Sequence, residues 1–370
     1  MYLRQLATRL YPILASDNAV ELISPPGIGK SEFVRQFVEE RRRITGKRIG
    51  LGIMMIANYT PIDLLGYMIP EDTLITNADG ITITVKRSVY TIPPWFLSEE
   101  GIPLNDYDEA YLFMDEYGQG EPDVKKLTAE LLLNAQIGPW KLDKSKVFRI
   151  AASNRASDRS GVTKSMDHII NRRIELHIKP DWLSFDQWAM KGGVAPFFRL
   201  YAEKHIEVVF SGTMPKDQGP FCTPRSLVKL SRVFDAFADP DTGAYPAGND
   251  EEMAFLSEVA EGTVGTPAAR SIMAFIKVQT ETPAFELIVK DPKGVWLPER
   301  ADAKMLTAYS CAHRVDVSNI APVIEFMQRL SPDYATTFAK SAAKRDHRLM
   351  KSKEFLGWVS KNAALLNAIS

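Results

Sequence analysis

Apolar residues along this chain follow two rhythms, and the rhythm changes near residue 180. Before that point, short, mainly apolar runs alternate with stretches of helical spacing. Residues 19–23 form the first run, which enters Ser24-Pro25-Pro26-Gly27-Ile28-Gly29-Lys30-Ser31; beyond it Phe33, Val34, Phe37 and Val38 recur at helical intervals as far as Arg43. This spacing predicts strand, tight loop, helix. A second run, residues 49–57, is rich in Ile and Met and predicts a parallel strand buried on both faces. Residues 110–114 and 147–152 predict two more strands, on either side of a helix from about Asp123 to Asn134 whose Leu127, Leu131 and Leu132 share a face. Ile174, Leu176 and Ile178 then alternate with Glu175 and His177. Such alternation of strand and helix predicts an α/β fold with a parallel, doubly wound sheet.

One insertion interrupts the pattern. Thr73 to Thr76 and Ile81 to Val85 flank Asn77-Ala78-Asp79-Gly80, where Asp-Gly supplies the positive φ of a hairpin turn. From about Trp182 onward the strand signals fade, and residues 197–204, 226–237, 268–278 and 320–330 show helical periodicity. Residues 239–250, rich in Pro, Gly and Asp, read as an exposed loop within that helical half.

Composition narrows the partners. The 370 residues carry 45 Lys+Arg against 46 Asp+Glu, a net charge of -1, so the chain lacks the overall basic excess of a protein that coats nucleic acid. Any such contact must be a local patch. Two stretches could supply one, Arg41 to Arg43 with Lys47 and Arg48, and Lys340 to Lys353; each reads first as a solvated helix face. The two cysteines, Cys222 and Cys311, are too few for a disulfide framework and too far apart for a metal knuckle. No apolar run is long enough to span a bilayer, and the amino terminus opens a helical pattern without a signal-peptide core, so a cytoplasmic location and no membrane contact are expected. The histidines form no H-E-x-x-H spacing and no G-x-S-x-G elbow occurs, which leaves metalloprotease and α/β-hydrolase chemistry without support. Tyr90, Trp95, Phe96 and Trp140 are expected to pack internally.

The candidate chemistry lies at strand ends. Gly29-Lys30-Ser31 completes the P-loop pattern G-x-x-x-x-G-K-[ST], with Ser24 standing where the pattern has its first glycine. Glycines let the loop curl so that its amides face one centre, and the following helix points its positive end there. On this reading the backbone of Ser24 to Gly29 cradles phosphate oxygens of ATP, Lys30 meets the β and γ phosphates, and Ser31 supplies its hydroxyl to Mg²⁺. Leu112-Phe113-Met114-Asp115-Glu116 is an apolar strand that ends in two carboxylates, where the crevice of an open α/β sheet lies. Asp115 would complete the metal shell, and Glu116 would take a proton from the attacking water.

These two elements resemble the Walker A and Walker B motifs of the AAA+ ATPases, and their surroundings are most similar to the MoxR branch. The resemblance covers about residues 1–275. It implies that Asn154, in Ala151-Ala152-Ser153-Asn154, is the sensor 1 residue that positions the hydrolytic water. It implies that Asn171-Arg172-Arg173-Ile174 carries an arginine finger for the neighbouring subunit, with Arg172 preferred over Arg173. Arg225, in Thr223-Pro224-Arg225-Ser226, resembles sensor 2 on a lid helix, and the hairpin resembles the helix-2 insertion of MoxR proteins. The expected division is an ATPase core at 1–182, with an insertion at about 66–92, a helical lid at 183–280 and a helical extension at 281–370. The implied activity is ATP hydrolysis at the interfaces of a homo-oligomeric ring, expected to be a hexamer, that remodels a protein or protein complex. A DNA-directed motor and a nucleotide-gated scaffold without turnover stand as alternatives.

Overall fold

The computed structural model describes residues 1–158, 172–215, 218–239, 244–246 and 250–361, and divides into two compact units, Met1–Pro180 and Asp181–Ser370.

In the first unit, helices α1 (Leu3–Leu6) and α2 (Leu10–Ala15) precede β1 (Val20–Ser24), and α3 (Lys30–Thr45) leads to β2 (Ile49–Met55). Helix α4 (Pro61–Leu65) leads into the hairpin β3 (Met68–Thr76) and β4 (Thr82–Tyr90). Strand β5 (Glu109–Asp115), helix α5 (Pro122–Asn134), the small hairpin β6 (Gln136–Ile137) and β7 (Trp140–Lys141), then β8 (Val147–Asn154) and β9 (Ile174–His177) complete it. The main sheet has the order β2-β5-β8-β1-β9, and every neighbouring pair is parallel.

Both sheet faces are covered, which is why most of its strands read as mainly apolar runs. Along β5, Tyr111 and Phe113 join Phe33, Val34, Phe37 and Val38 of α3 with Leu6, Leu10 and Leu14 on one face. Leu112 and Met114 join Val124, Leu131 and Leu132 of α5 on the other. Each such side chain contributes roughly 1.5–3 kcal/mol by leaving water, so the crossover helices are pinned to the sheet that carries the strand ends.

The hairpin forms where Asp79-Gly80 predicts it, with Gly80 at φ 79° and Asn77 Oδ1 accepting from the Ile81 amide at 2.9 Å. Its strands are longer than the sequence pattern suggests, running Met68 to Thr76 against Thr82 to Tyr90. The base is fixed by aromatic residues: the Trp95 indole donates to the Leu64 carbonyl and the Trp140 indole to the Leu65 carbonyl, both at 2.8 Å. These bonds cap the end of α4, which turns at Gly66 with φ 88°. A Cβ at Gly66 would meet the Thr91 carbonyl oxygen at 2.0 Å, so the turn requires glycine.

The described residues of the second unit contain helices and no strand. Two apolar clusters build it. One gathers Phe185, Phe198, Leu227, Phe234, Leu256 and Ile272; the other gathers Ile320, Phe326, Phe338, Phe355 and Trp358. The helix Ala301–Arg314 serves both, with Leu306 and Tyr309 in the first cluster and Ala308, Cys311 and Ala312 in the second. The division expected near residue 280 therefore falls inside one compact unit. Most of the loop expected at 239–250 lies outside the described residues. No helix among the described residues is long and apolar enough to cross a membrane.

Candidate functional site

The carboxyl ends of β1, β5 and β8 gather the residues that the sequence singles out. The register sets Ser24 directly beside Asn154, so the two strand ends present their side chains to one place. Between β1 and α3 the chain turns through Gly27 at φ 76° and Gly29 at φ 93°, both in the left-handed region that glycine adopts without strain. Gly29 is the N-cap of a 16-residue helix with no side-chain cap hydrogen bond among the described residues, and the first turn of such a helix turns its amides toward an acceptor.

Lys30 enters the helix at once and folds back over the loop. Its ammonium donates to Ser24 Oγ at 2.8 Å and to Asn154 Oδ1 at 2.9 Å, and the residue is buried. The Ser31 hydroxyl donates to the Asp115 carboxylate at 2.5 Å, while the other Asp115 oxygen accepts from the Glu116 amide at 2.9 Å. The expected phosphate-binding lysine and the two expected metal-binding residues thus meet across three strands.

Glu116 adopts φ 53°, ψ 31°, a left-handed conformation in a residue with a Cβ. That conformation costs of order 1–3 kcal/mol and persists only where its surroundings enforce it. Two buried cations lie close to the turn that follows. The Lys125 ammonium donates to the Gly118 carbonyl at 2.7 Å, and the Arg173 guanidinium lies 5.3 Å from the Tyr117 ring centroid. Burial lowers the Lys125 pKa, with the Glu21 carboxylate opposing the shift. The Glu116 side chain itself makes no hydrogen bond or ion pair among the described residues, which leaves the carboxylate available to a water or ligand.

The two candidate fingers differ sharply. Arg173 is 3% exposed and pairs with the equally buried Glu21 of β1 and with Glu175 at 3.2 Å. Arg172 is 26% exposed and pairs with Glu130 of α5 at 2.8 Å. Of the two, Arg172 is the more exposed. Asn171 of the same segment lies outside the described residues. Arg225 belongs to the second unit, exposed in the first turn of the helix Pro224–Asp235, where Thr223 caps the start by accepting from the Ser226 amide at 3.1 Å.

Sequence reasoning missed the buried Glu21, Lys125 and Arg173 group, and it gave Ser24 only a place in the loop. An acidic residue inside an otherwise apolar strand, Val20-Glu21-Leu22, was the available signal for Glu21. The first basic stretch is largely neutralised in place: Arg41 pairs with Glu109 at 2.8 Å, Arg42 with Glu39 at 3.3 Å and Arg43 with Glu40 at 2.6 Å. Cys222 and Cys311 are free and buried, and burial pushes the Cys222 thiol up to about 12.

No protein-family model and no curated protein matches the chain. Similar solved structures include a RuvB point mutant from Thermotoga maritima, 14% identical, covering 78% of this chain and 74% of that one with a TM-score of 0.37. NtrX from Brucella abortus in complex with ATP is 12% identical over 99% of this chain and 67% of that one, with a TM-score of 0.32. A candidate ATPase from Cytophaga hutchinsonii is 12% identical over 92% of this chain and 80% of that one, also with a TM-score of 0.32. These likenesses are faint, and the chain's own sheet order, glycine loop and strand-end carboxylates define its fold. The first unit is an α/β P-loop NTPase fold, the fold that the resemblance to AAA+ ATPases implies.

Proposed function

We propose that the protein binds and hydrolyses ATP and uses the turnover, as a MoxR-like AAA+ protein, to remodel a protein or protein complex. The observation that carries the reading is the meeting of Lys30, Ser31, Asp115 and Asn154 at the carboxyl ends of three parallel strands. In this mechanism the positive end of the helix that begins at Gly29 and the Lys30 ammonium receive the phosphates, supplying positive charge where negative charge gathers during transfer. Glu116 accepts the proton of the attacking water, and Asn154 orients that water. Ser31 and Asp115 present hard oxygen donors that already meet, which suits Mg²⁺ held by few protein ligands and completed by water and phosphate oxygens. Bound there, the ion would neutralise phosphate charge. Arg172 serves the nucleotide of a neighbouring subunit in a ring, proposed as a hexamer, and Arg225 serves as the second sensor.

Internal pairing of Arg41 to Arg43 weakens the case for that stretch as a nucleic-acid patch, because cations already neutralised have less to gain from phosphate. The test is Glu116→Gln. The variant should retain ATP and lose turnover by about 10²–10⁴-fold, measured as phosphate release beside equilibrium nucleotide binding. A wild-type protein that binds ATP and turns it over no faster than the variant would leave only a nucleotide-gated scaffold.

A further inference from the structure

Ser24 stands where the P-loop pattern has a glycine, and its side chain has work that a glycine could not do. The residue is 0% exposed. Its hydroxyl donates its single proton to the Pro25 carbonyl at 2.8 Å, which turns the oxygen's lone pairs elsewhere, and the Lys30 ammonium donates to that oxygen at 2.8 Å. Asn154 Oδ1 accepts from the same ammonium at 2.9 Å. Ser24 and Asn154 are register partners on adjacent parallel strands, so the two oxygens that grip Lys30 are fixed by the sheet rather than by the loop. A lysine free to rotate loses that freedom when a ligand captures it; one already held has lost it beforehand.

We propose that Ser24 is a positioning residue whose hydroxyl, together with Asn154, pre-organises the Lys30 ammonium for the polyphosphate of ATP. The proposal rests on the ATP reading above. The Ser24 proton is committed to Pro25, so the side chain acts on the nucleotide through Lys30. Removing the oxygen should therefore matter only while Lys30 is present. Glycine, although it restores the pattern, should be no better than alanine.

The experiment is a double-mutant cycle on the full chain, read as equilibrium binding of a fluorescent ATP analogue to wild type, Ser24→Ala, Lys30→Met and the double variant, with Ser24→Gly alongside. Ser24→Ala and Ser24→Gly should each weaken binding by about tenfold, the scale of a hydrogen bond to a charged group, and Ser24→Ala should have no further effect on Lys30→Met. A second readout needs no nucleotide: acylation of lysines by acetic anhydride, followed by mass spectrometry, should show Lys30 labelled faster in Ser24→Ala while other lysines keep their rates. This readout decides the matter if Lys30→Met binds too weakly for the cycle. Equal weakening in both backgrounds, tighter binding by Ser24→Gly, or unchanged Lys30 labelling overturns the positioning role alone. A folded wild type that binds no ATP analogue overturns the ATP reading, and this proposal with it.

Discussion

Arg172 and Arg173 are neighbours in sequence with opposite circumstances, and the difference separates stability from function. Arg173 is sealed against Glu21, which also accepts from the Ser153 hydroxyl, so the pair ties β1, β8 and β9 together on one face of the sheet. Removing one partner of a buried pair strands the other charge, and Arg173→Ala should cost about 3–5 kcal/mol in denaturant unfolding. Arg172 holds a half-exposed pair with Glu130, and Arg172→Ala should cost at most about 1 kcal/mol. If Arg172 is the finger, the same variant should lower ATP turnover by roughly 10³-fold while ATP binding persists. Phosphate release and urea unfolding measured on both variants check the assignment; unchanged turnover in Arg172→Ala removes it from the mechanism.

Elements buried on both faces were legible because their apolar runs record that burial directly, as in Leu112-Phe113-Met114 of β5 and Ile150-Ala151-Ala152 of β8. The base half of the hairpin was not, because Pro70, Glu71 and Asp72 are exposed and break any alternation that a core would impose. Asp115 and Glu116 were legible as charges at the end of such a run, and Lys30 through the glycine pattern of the loop that follows another. The Glu21 and Arg173 pair was hidden by distance along the chain: its partners lie 152 positions apart, and neither has a local pattern that names the other. The helix Ala301–Arg314 hides a similar group. Burial lowers the His313 pKa from its ordinary 6.5, and Arg345, Arg199 and Arg314 lower it further. A folded-state pKa below the unfolded one gives a stability contribution present above about pH 6.5 and lost as pH falls through the folded value. Thermal unfolding between about pH 7.5 and about pH 5.5 should therefore show wild type losing more stability than His313→Gln. Because Glu203, whose pKa burial raises, is common to both proteins, the difference isolates His313. Parallel pH profiles would show that His313 titrates as it does in the unfolded chain.

At the scale of the whole molecule, a net charge of -1 is compatible with the proposed work, since the anion to be bound is small and meets local charge at Lys30. The proposed division of labour places Glu116 and Arg172 of one chain in different active sites, because a head-to-tail ring interface joins unlike surfaces. That geometry has a consequence which no single variant tests. Glu116→Gln lacks its base but still offers an arginine to its neighbour; Arg172→Ala keeps its base but offers none. Each homogeneous ring should be inactive. When the two proteins are unfolded or dissociated, mixed in equal amounts and reassembled, about a quarter of the interfaces should join an intact Glu116 to an intact Arg172, and ATP turnover should reappear on that scale. Reappearance of phosphate release would establish that the arginine acts across an interface. Two folded, nucleotide-binding variants that remain inactive after verified mixing would place Arg172 in the site of its own subunit or outside catalysis, and with it would go the argument that the protein must assemble in order to turn over ATP.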